Sequence, residues 1–167
     1  ITPGFIDVHT HAGRGIFDVP TADNYVRQGV TTVMEGGDGS SPVPIGAFLA
    51  RLEALPKSLN MGTFVGQGSV RVAVVGEVNR PPTADELEKM RAIVEQSMKD
   101  GAFGLSSGLF YVPGVFTPLD ELIELAKVTG RFGGHHNSHI RDEAARVVES
   151  VQEVITIGER GGLPTQV

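Results

Sequence analysis

The residues of this sequence best suited to chemistry are its five histidines, His9, His11, His135, His136 and His139. Each lies in or just beyond a run that reads as a strand, and none falls on an apolar helix stripe. His9 and His11 have the i, i+2 spacing that sets two imidazoles on one side of an extended chain. Neutral imidazole is a good zinc ligand, and a catalytic zinc keeps one position open for water. Taken alone, a His-x-His pair is better read as a chance occurrence or a solvated turn than as a metal site. The chain has no cysteine. That removes disulfides, thiolate metal ligands and a thiol nucleophile from consideration.

The elements that must position these histidines alternate between strand and helix. Strands are expected over Gly4–Thr10, Thr31–Glu35, Gly62–Gly66, Phe103–Ser106 and Gly133–Ser138, with another starting at Thr165. The first two are apolar and β-branched enough to be buried on both faces, as parallel strands are. Thr83 with Glu86 makes a capping box ahead of a stripe of Leu87, Met90, Ile93, Val94 and Met98, which ends at Asp100-Gly101. Thr117 followed by Pro118 repeats a helix start, with Leu119, Leu122, Ile123 and Ala126 behind it. Ala144, Val147, Val148, Val151, Val154 and Ile155 form a third stripe, stopped by Gly161-Gly162. Strand–helix alternation with short links implies an α/β protein with a parallel sheet covered by helices. Periodicity leaves open whether that sheet is a closed barrel or a doubly wound open one.

The segment Pro3-Gly4-Phe5-Ile6-Asp7-Val8-His9-Thr10-His11 resembles the signature of the amidohydrolase superfamily, whose first barrel strand ends in two metal-binding histidines. Further stretches are similar to the D-aminoacylase (N-acyl-D-amino-acid deacylase) branch of that superfamily. They are Gly29–Val33, Arg80–Thr83, Gly101–Leu109, Tyr111–Gly114 and His139-Ile140-Arg141-Asp142-Glu143, in the expected order over essentially the whole chain. The resemblance implies a partial (β/α)8 TIM-type barrel of about five to six parallel strands with covering helices. Residues 1–167 would then be the N-terminal half of the catalytic barrel, with both ends truncated.

Roles carry over residue by residue. His9 and His11 match the metal ligands of the first strand. Asp38, in Gly36-Gly37-Asp38-Gly39, falls where the branch usually has a metal-binding cysteine. Aspartate is a hard anionic donor, so preference should shift from zinc towards manganese or cobalt. Glu35 is the rival acid. His139 matches a ligand after the fifth strand, whereas His135 and His136 depart from the family and are expected to be one packed and one solvated ring. Tyr111 matches a tyrosine near the substrate, where a phenol can donate to an amino-acid carboxylate. Gln67 stands where the family often has histidine. Asp142 and Glu143 suit the first turn of the following helix, where acids meet the helix dipole.

The implied activity is zinc-dependent hydrolysis of the amide bond of N-acyl-D-amino acids. The aspartate that serves as general base in the superfamily follows the eighth strand, so no catalytic proton acceptor is expected within this chain. The fragment alone is expected to be inactive and prone to self-association until joined to the rest of its barrel. Two other readings are a cyclic-amide hydrolase of the dihydroorotase or hydantoinase kind and a non-catalytic metal-binding fragment. With 40 % apolar and 20 % charged residues, the 167-residue chain can bury a real core. A net charge of −6 without a Lys/Arg cluster argues against nucleic-acid or membrane partners. A cysteine-free chain with no apolar run near the ~18 residues of a span suits the cytoplasm.

Overall fold

The computed structural model describes residues 1–167 and contains seven strand segments, all paired in parallel. They are β1 (Phe5–Asp7), β2 (Val30–Glu35), β3 (Asn60–Thr63), β4 (Val65–Gly66), β5 (Gly104–Gly108), β6 (His135–His139) and β7 (Thr165–Gln166). The helices are α1 (Asp23–Val26), α2 (Ile45–Glu53), α3 (Gln67–Val74), α4 (Ala84–Lys99), α5 (Leu119–Gly130) and α6 (Val147–Gly161). Ladders run β1-β2-β3 and β4-β5-β6-β7, in sequence order. β3 and β4 are one strand interrupted at Phe64, and backbone bonds hold the interruption on both flanks. Phe64 N donates to Glu35 O at 2.9 Å, and Phe103 N donates to Thr63 O at 2.9 Å. Six strand positions in sequential parallel order, the first five each followed by helix, make a partial barrel.

The core lies mainly between the strands and the outer helices. Leu105 and Leu109 pack with Met90, Val94, Leu122, Ile123 and Ile157 in the larger cluster. A smaller cluster joins Val33 to Phe48, Leu52 and Leu59. The helix α4 begins at the expected capping box, with Thr83 accepting from Glu86 N at 3.2 Å and Glu86 accepting from Thr83 N at 2.8 Å. At the other end of the chain α6 stops at Gly162, whose φ of 70° ends the helix as a glycine readily can.

Several expectations need correction. β1 stops at Asp7 rather than Thr10, and Phe5 and Ile6 are each 64 % exposed instead of buried on both faces. Phe5 and Ile6 lie outside both core clusters, at the edge of the β1-β2-β3 ladder. The N-cap of α5 is Pro118, not Thr117, whose hydroxyl is turned inward to accept from Gln67 Nε2 at 2.9 Å. α6 starts at Val147, so Asp142 and Glu143 precede it. Asp142 instead caps the connecting turn, accepting from Ala144 N and Arg146 N.

Three helices had no clear signal, the four-residue α1 and the longer α2 and α3. α3 carries Val70, Val72 and Val74 in alternation with two glycine-or-serine positions at its start, a composition poor in helix propensity. It is fixed by tertiary contacts, since Arg71 is fully buried and ion-paired to Glu121 of α5. α2 begins at Pro44 without a side-chain cap and is held by Ile45, Phe48 and Leu52. No helix is long and apolar enough to cross a membrane.

Candidate metal centre

All four expected ligand positions meet at one end of the parallel strands. His9 and His11 follow β1, Asp38 follows β2, and His139 ends β6. Although β1 has ended before His9, the chain stays against β2 because Thr10 is buried between the two histidines. Its N–H and its hydroxyl both donate to Met34 O, at 3.0 and 2.9 Å. The two imidazoles meet edge to face, their centroids 5.9 Å apart. Both turn towards Asp38, with His9 Nε2 and His11 Nε2 each 3.2 Å from Oδ2. On the opposite side of the carboxylate, His139 Nδ1 lies 3.4 Å from Oδ1. Donor atoms of His9, His11 and Asp38 all lie within 4.8 Å of one another.

Asp38 reaches this position from an unusual backbone. Its φ is 54°, between Gly36 at 82° and Gly39 at 73°, so three of four consecutive residues are left-handed. A non-glycine residue in that region persists only where its surroundings hold it. The loop is held by Ser106 Oγ, which donates to Gly36 O at 2.5 Å and accepts from Gly39 N at 3.2 Å. Its far side is tied to α3, with Ser69 N donating to Gly39 O at 3.1 Å and Ser41 N donating to Ser69 Oγ at 3.0 Å. Glu35, the rival acid, is buried and accepts from Gly13 N at 2.6 Å, so it braces the turn after His11.

The donor set fits a cation. Asp38 Oδ1 and His139 Nε2 are buried without a hydrogen-bond partner, and buried polar atoms are ordinarily satisfied. A carboxylate facing three imidazoles offers hard oxygen and borderline nitrogen donors, the chemistry of zinc, manganese or cobalt sites. Glu143 Oε1 lies 3.1 Å from His139 Nε2 without hydrogen-bond alignment. Tyr111 OH stands 3.3 Å from His139 Nδ1. Arg141 turns away to Glu153 and to the carbonyls of Val115 and Thr117.

The other histidines stand apart from this cluster. His136 is fully buried, its Nε2 2.9 Å from Ser107 Oγ and its Nδ1 3.0 Å from Thr165 Oγ1. Burial, with His135 beside it, lowers its pKa to about 4, which keeps the ring neutral. His135 packs edge to face on Phe64 and is partly buried, so it is not the solvated ring expected. Gln67 is also buried, donating to Thr117 Oγ1 and Glu121 Oε1 rather than facing the cluster.

A cavity of about 680 Å³ opens beside the cluster. His11, Asp38 and Tyr111 line one part of it, and Val43, Val72, Val112 and Pro113 give it apolar wall. Arg14 and Glu77 are its other charged residues. Sequence reasoning did not single out Arg14, Ser69 or Ser106; an isolated arginine and two serines carry no spacing signal.

Parallel strands in sequential order, with histidines and an acid gathered at one set of strand ends beside a cavity, make a partial barrel with a candidate metal site. No protein-family model matches the chain. The N-acyl-D-aspartate deacylase of Alcaligenes xylosoxydans xylosoxydans is 33 % identical over 182 residues, covering 95 % of this chain and 36 % of the relative. D-aminoacylase of the same organism is 30 % identical over 187 residues, covering 98 % and 39 %. Among solved structures, the N-acyl-D-glutamate deacylase of Bordetella bronchiseptica, complexed with zinc and a phosphonate mimic of the tetrahedral intermediate, superposes with a TM-score of 0.94. It is 34 % identical, covering 99 % of this chain and 40 % of that one. A D-aminoacylase structure described as defining a subset of amidohydrolases gives a TM-score of 0.91 at 31 % identity, covering 98 % and 39 %. The homologues that cover this chain almost fully are thus N-acyl-D-amino-acid deacylases of the amidohydrolase family. The chain spans less than half the length of these relatives.

Proposed function

We propose that this chain supplies the metal-binding part of an enzyme that hydrolyses the amide bond of N-acyl-D-amino acids to a D-amino acid and a carboxylate. The observation that carries this reading is the convergence of His9, His11 and His139 on the Asp38 carboxylate, at distances of 3.2, 3.2 and 3.4 Å. These four residues would hold zinc, with manganese or cobalt as alternatives that the aspartate admits. The metal, when bound, lowers the pKa of a water towards neutrality and polarises the scissile carbonyl.

The chain's own residues do the rest of the work proposed for it. Asp38 presents Oδ2 to His9 and His11 and Oδ1 to His139, so its carboxylate would hold a cation together with these imidazoles. Tyr111 would donate its phenol proton to the substrate carboxylate. His11 and Asp38 line the cavity, so an amide lodged there lies against the donor set. By the superfamily resemblance, the carboxylate that takes the proton of the water follows the eighth strand. Hydrolysis is therefore proposed for the whole protein, with residues 1–167 inactive by themselves. The substrate is a small molecule, and we place the protein in the cytoplasm with neither nucleic acid nor membrane as partner.

The test is an activity panel on the full-length protein. N-acetyl-D-amino acids, their L-enantiomers and a cyclic ureide are compared before chelation, after chelation and after zinc is restored. Turnover of D-substrates alone, lost with the metal and recovered with it, is the expected result. Hydrolysis of the ureide without deacylation would overturn the proposal.

A further inference from the structure

We infer that Ser106 is a positioning residue for the metal centre, acting through the backbone on either side of Asp38. This rests on the metal-site reading above. Ser106 is fully buried in β5, and its hydroxyl is committed to the loop that carries Asp38. The hydroxyl proton goes to Gly36 O and a lone pair receives Gly39 N–H, at 2.5 and 3.2 Å. One side chain thereby clamps the backbone before and after the acid.

The clamp is needed because the loop has two ways to relax. Asp38 is held at a φ of 54°, a conformation that an aspartate leaves when it is not constrained. The loop also lies directly on the end of β5. A Cβ added at Gly108 would collide with Asp38 O, and one added at Gly39 would come within 2.6 Å of Gly108 N. Close approach supplies repulsion but no attraction. Ser106 supplies the attraction, and it is the β5 side chain bonded to this loop; its neighbour Ser107 bonds His136 and Ser138 instead. Ser69 and Ser41 secure only the distal part of the loop, from residue 39 onward. Without the Ser106 hydroxyl, Gly36 O and Gly39 N lose this partner, and the carboxylate is free to swing away from His9 and His11.

Outer-shell partners of metal ligands are commonly worth about 10–100-fold in affinity. Zinc titration of the metal-free full-length protein should therefore show Ser106→Ala weakened by about tenfold or more. Ser107→Ala, which removes an equally buried hydroxyl from the same strand, should stay within about twofold of the parent. Ser106→Cys fills the site with a somewhat larger, weaker donor and acceptor, so it should fall between the two and guards against a misfolded alanine variant. The decisive measurement is a double-mutant cycle. If Ser106 acts through Asp38, Ser106→Ala should cost no further zinc affinity in an Asp38→Ala background. An unchanged affinity in Ser106→Ala, or an equal loss in both backgrounds, would overturn the inference. Should Asp38→Ala alone leave zinc affinity intact, the metal-site reading itself fails and the inference falls with it.

Discussion

Asp38 Oδ2 lies 3.2 Å from His9 Nε2 although the two residues are 29 positions apart. The pairing joins the end of β1 to the loop after β2. It depends on the parallel register of those strands, in which Ile6 faces Thr32 and Asp7 faces Val33. The same carboxylate faces His139, which arrives at the end of β6. Asp38 is thus the common neighbour of three histidines from two separate parts of the chain, and its removal is the most direct probe of the site.

Asp38→Ala should reduce zinc affinity by on the order of a hundredfold or more, since a direct ligand outweighs the outer-shell partners that commonly cost 10–100-fold. Asp38→Cys should retain binding and shift preference from manganese towards zinc, because thiolate is the softer donor. Isothermal titration with each metal measures both. Unaltered zinc affinity in Asp38→Ala would remove this residue from the site.

His139→Ala should lose far more bound metal than His135→Ala. His139 turns its Nδ1 to Asp38 and leaves its Nε2 without a hydrogen-bond partner, whereas His135 packs on Phe64. Metal analysis of the two purified variants decides this, and equal losses would contradict the assignment.

Acid should destabilise the fold through His136. Its pKa in the folded state is about 4, below the ~6.5 of an exposed histidine. Between those values the unfolded chain binds more protons, so stability rises with pH through that window and is lost as pH falls towards 4. The full effect is about 3 kcal/mol, from a shift worth ~1.4 kcal/mol per unit. Urea unfolding from pH 4 to 7.5 should show this slope, and His136→Gln should flatten it. An equal slope in the variant would assign the acid sensitivity to other groups.

Removing Glu121 should cost about 3–5 kcal/mol, because it leaves the Arg71 guanidinium buried without its counter-charge. Both side chains are fully buried, and Gln67 loses an acceptor as well. Replacing the pair together, Arg71→Met with Glu121→Leu, should recover most of the loss. Chemical denaturation of the single and double variants provides the comparison. A double variant as unstable as Glu121→Leu would mean that the ion pair itself, not its uncompensated half, sustains α3.

Some of this protein is decided locally, and those parts were legible in the residues. The capping box of Thr83 and Glu86 satisfies backbone donors within its own turn, so it predicts α4 without reference to anything distant. Alternating strand and helix signals gave the parallel order for the same reason, and the histidines could be placed at strand ends by their position alone. Long-range contact decided the remainder. α3 is helical against its own β-branched composition because Arg71 must reach Glu121. Thr117 was expected to cap α5, but its hydroxyl is drawn inward by Gln67. Of the two histidines expected to be one packed and one solvated ring, His136 is the packed one, sealed between Ser107 and Thr165. The family resemblance favoured Asp38 over Glu35 to face the histidines, but residue chemistry alone did not separate the two acids. Either acid could reach inward through a glycine-rich loop, and only the clamp of that loop on β5 turns one towards His9 and His11 while the other braces Gly13. Hydrogen-bond geometry acts between residues brought together by the fold, so no spacing along the chain encodes it.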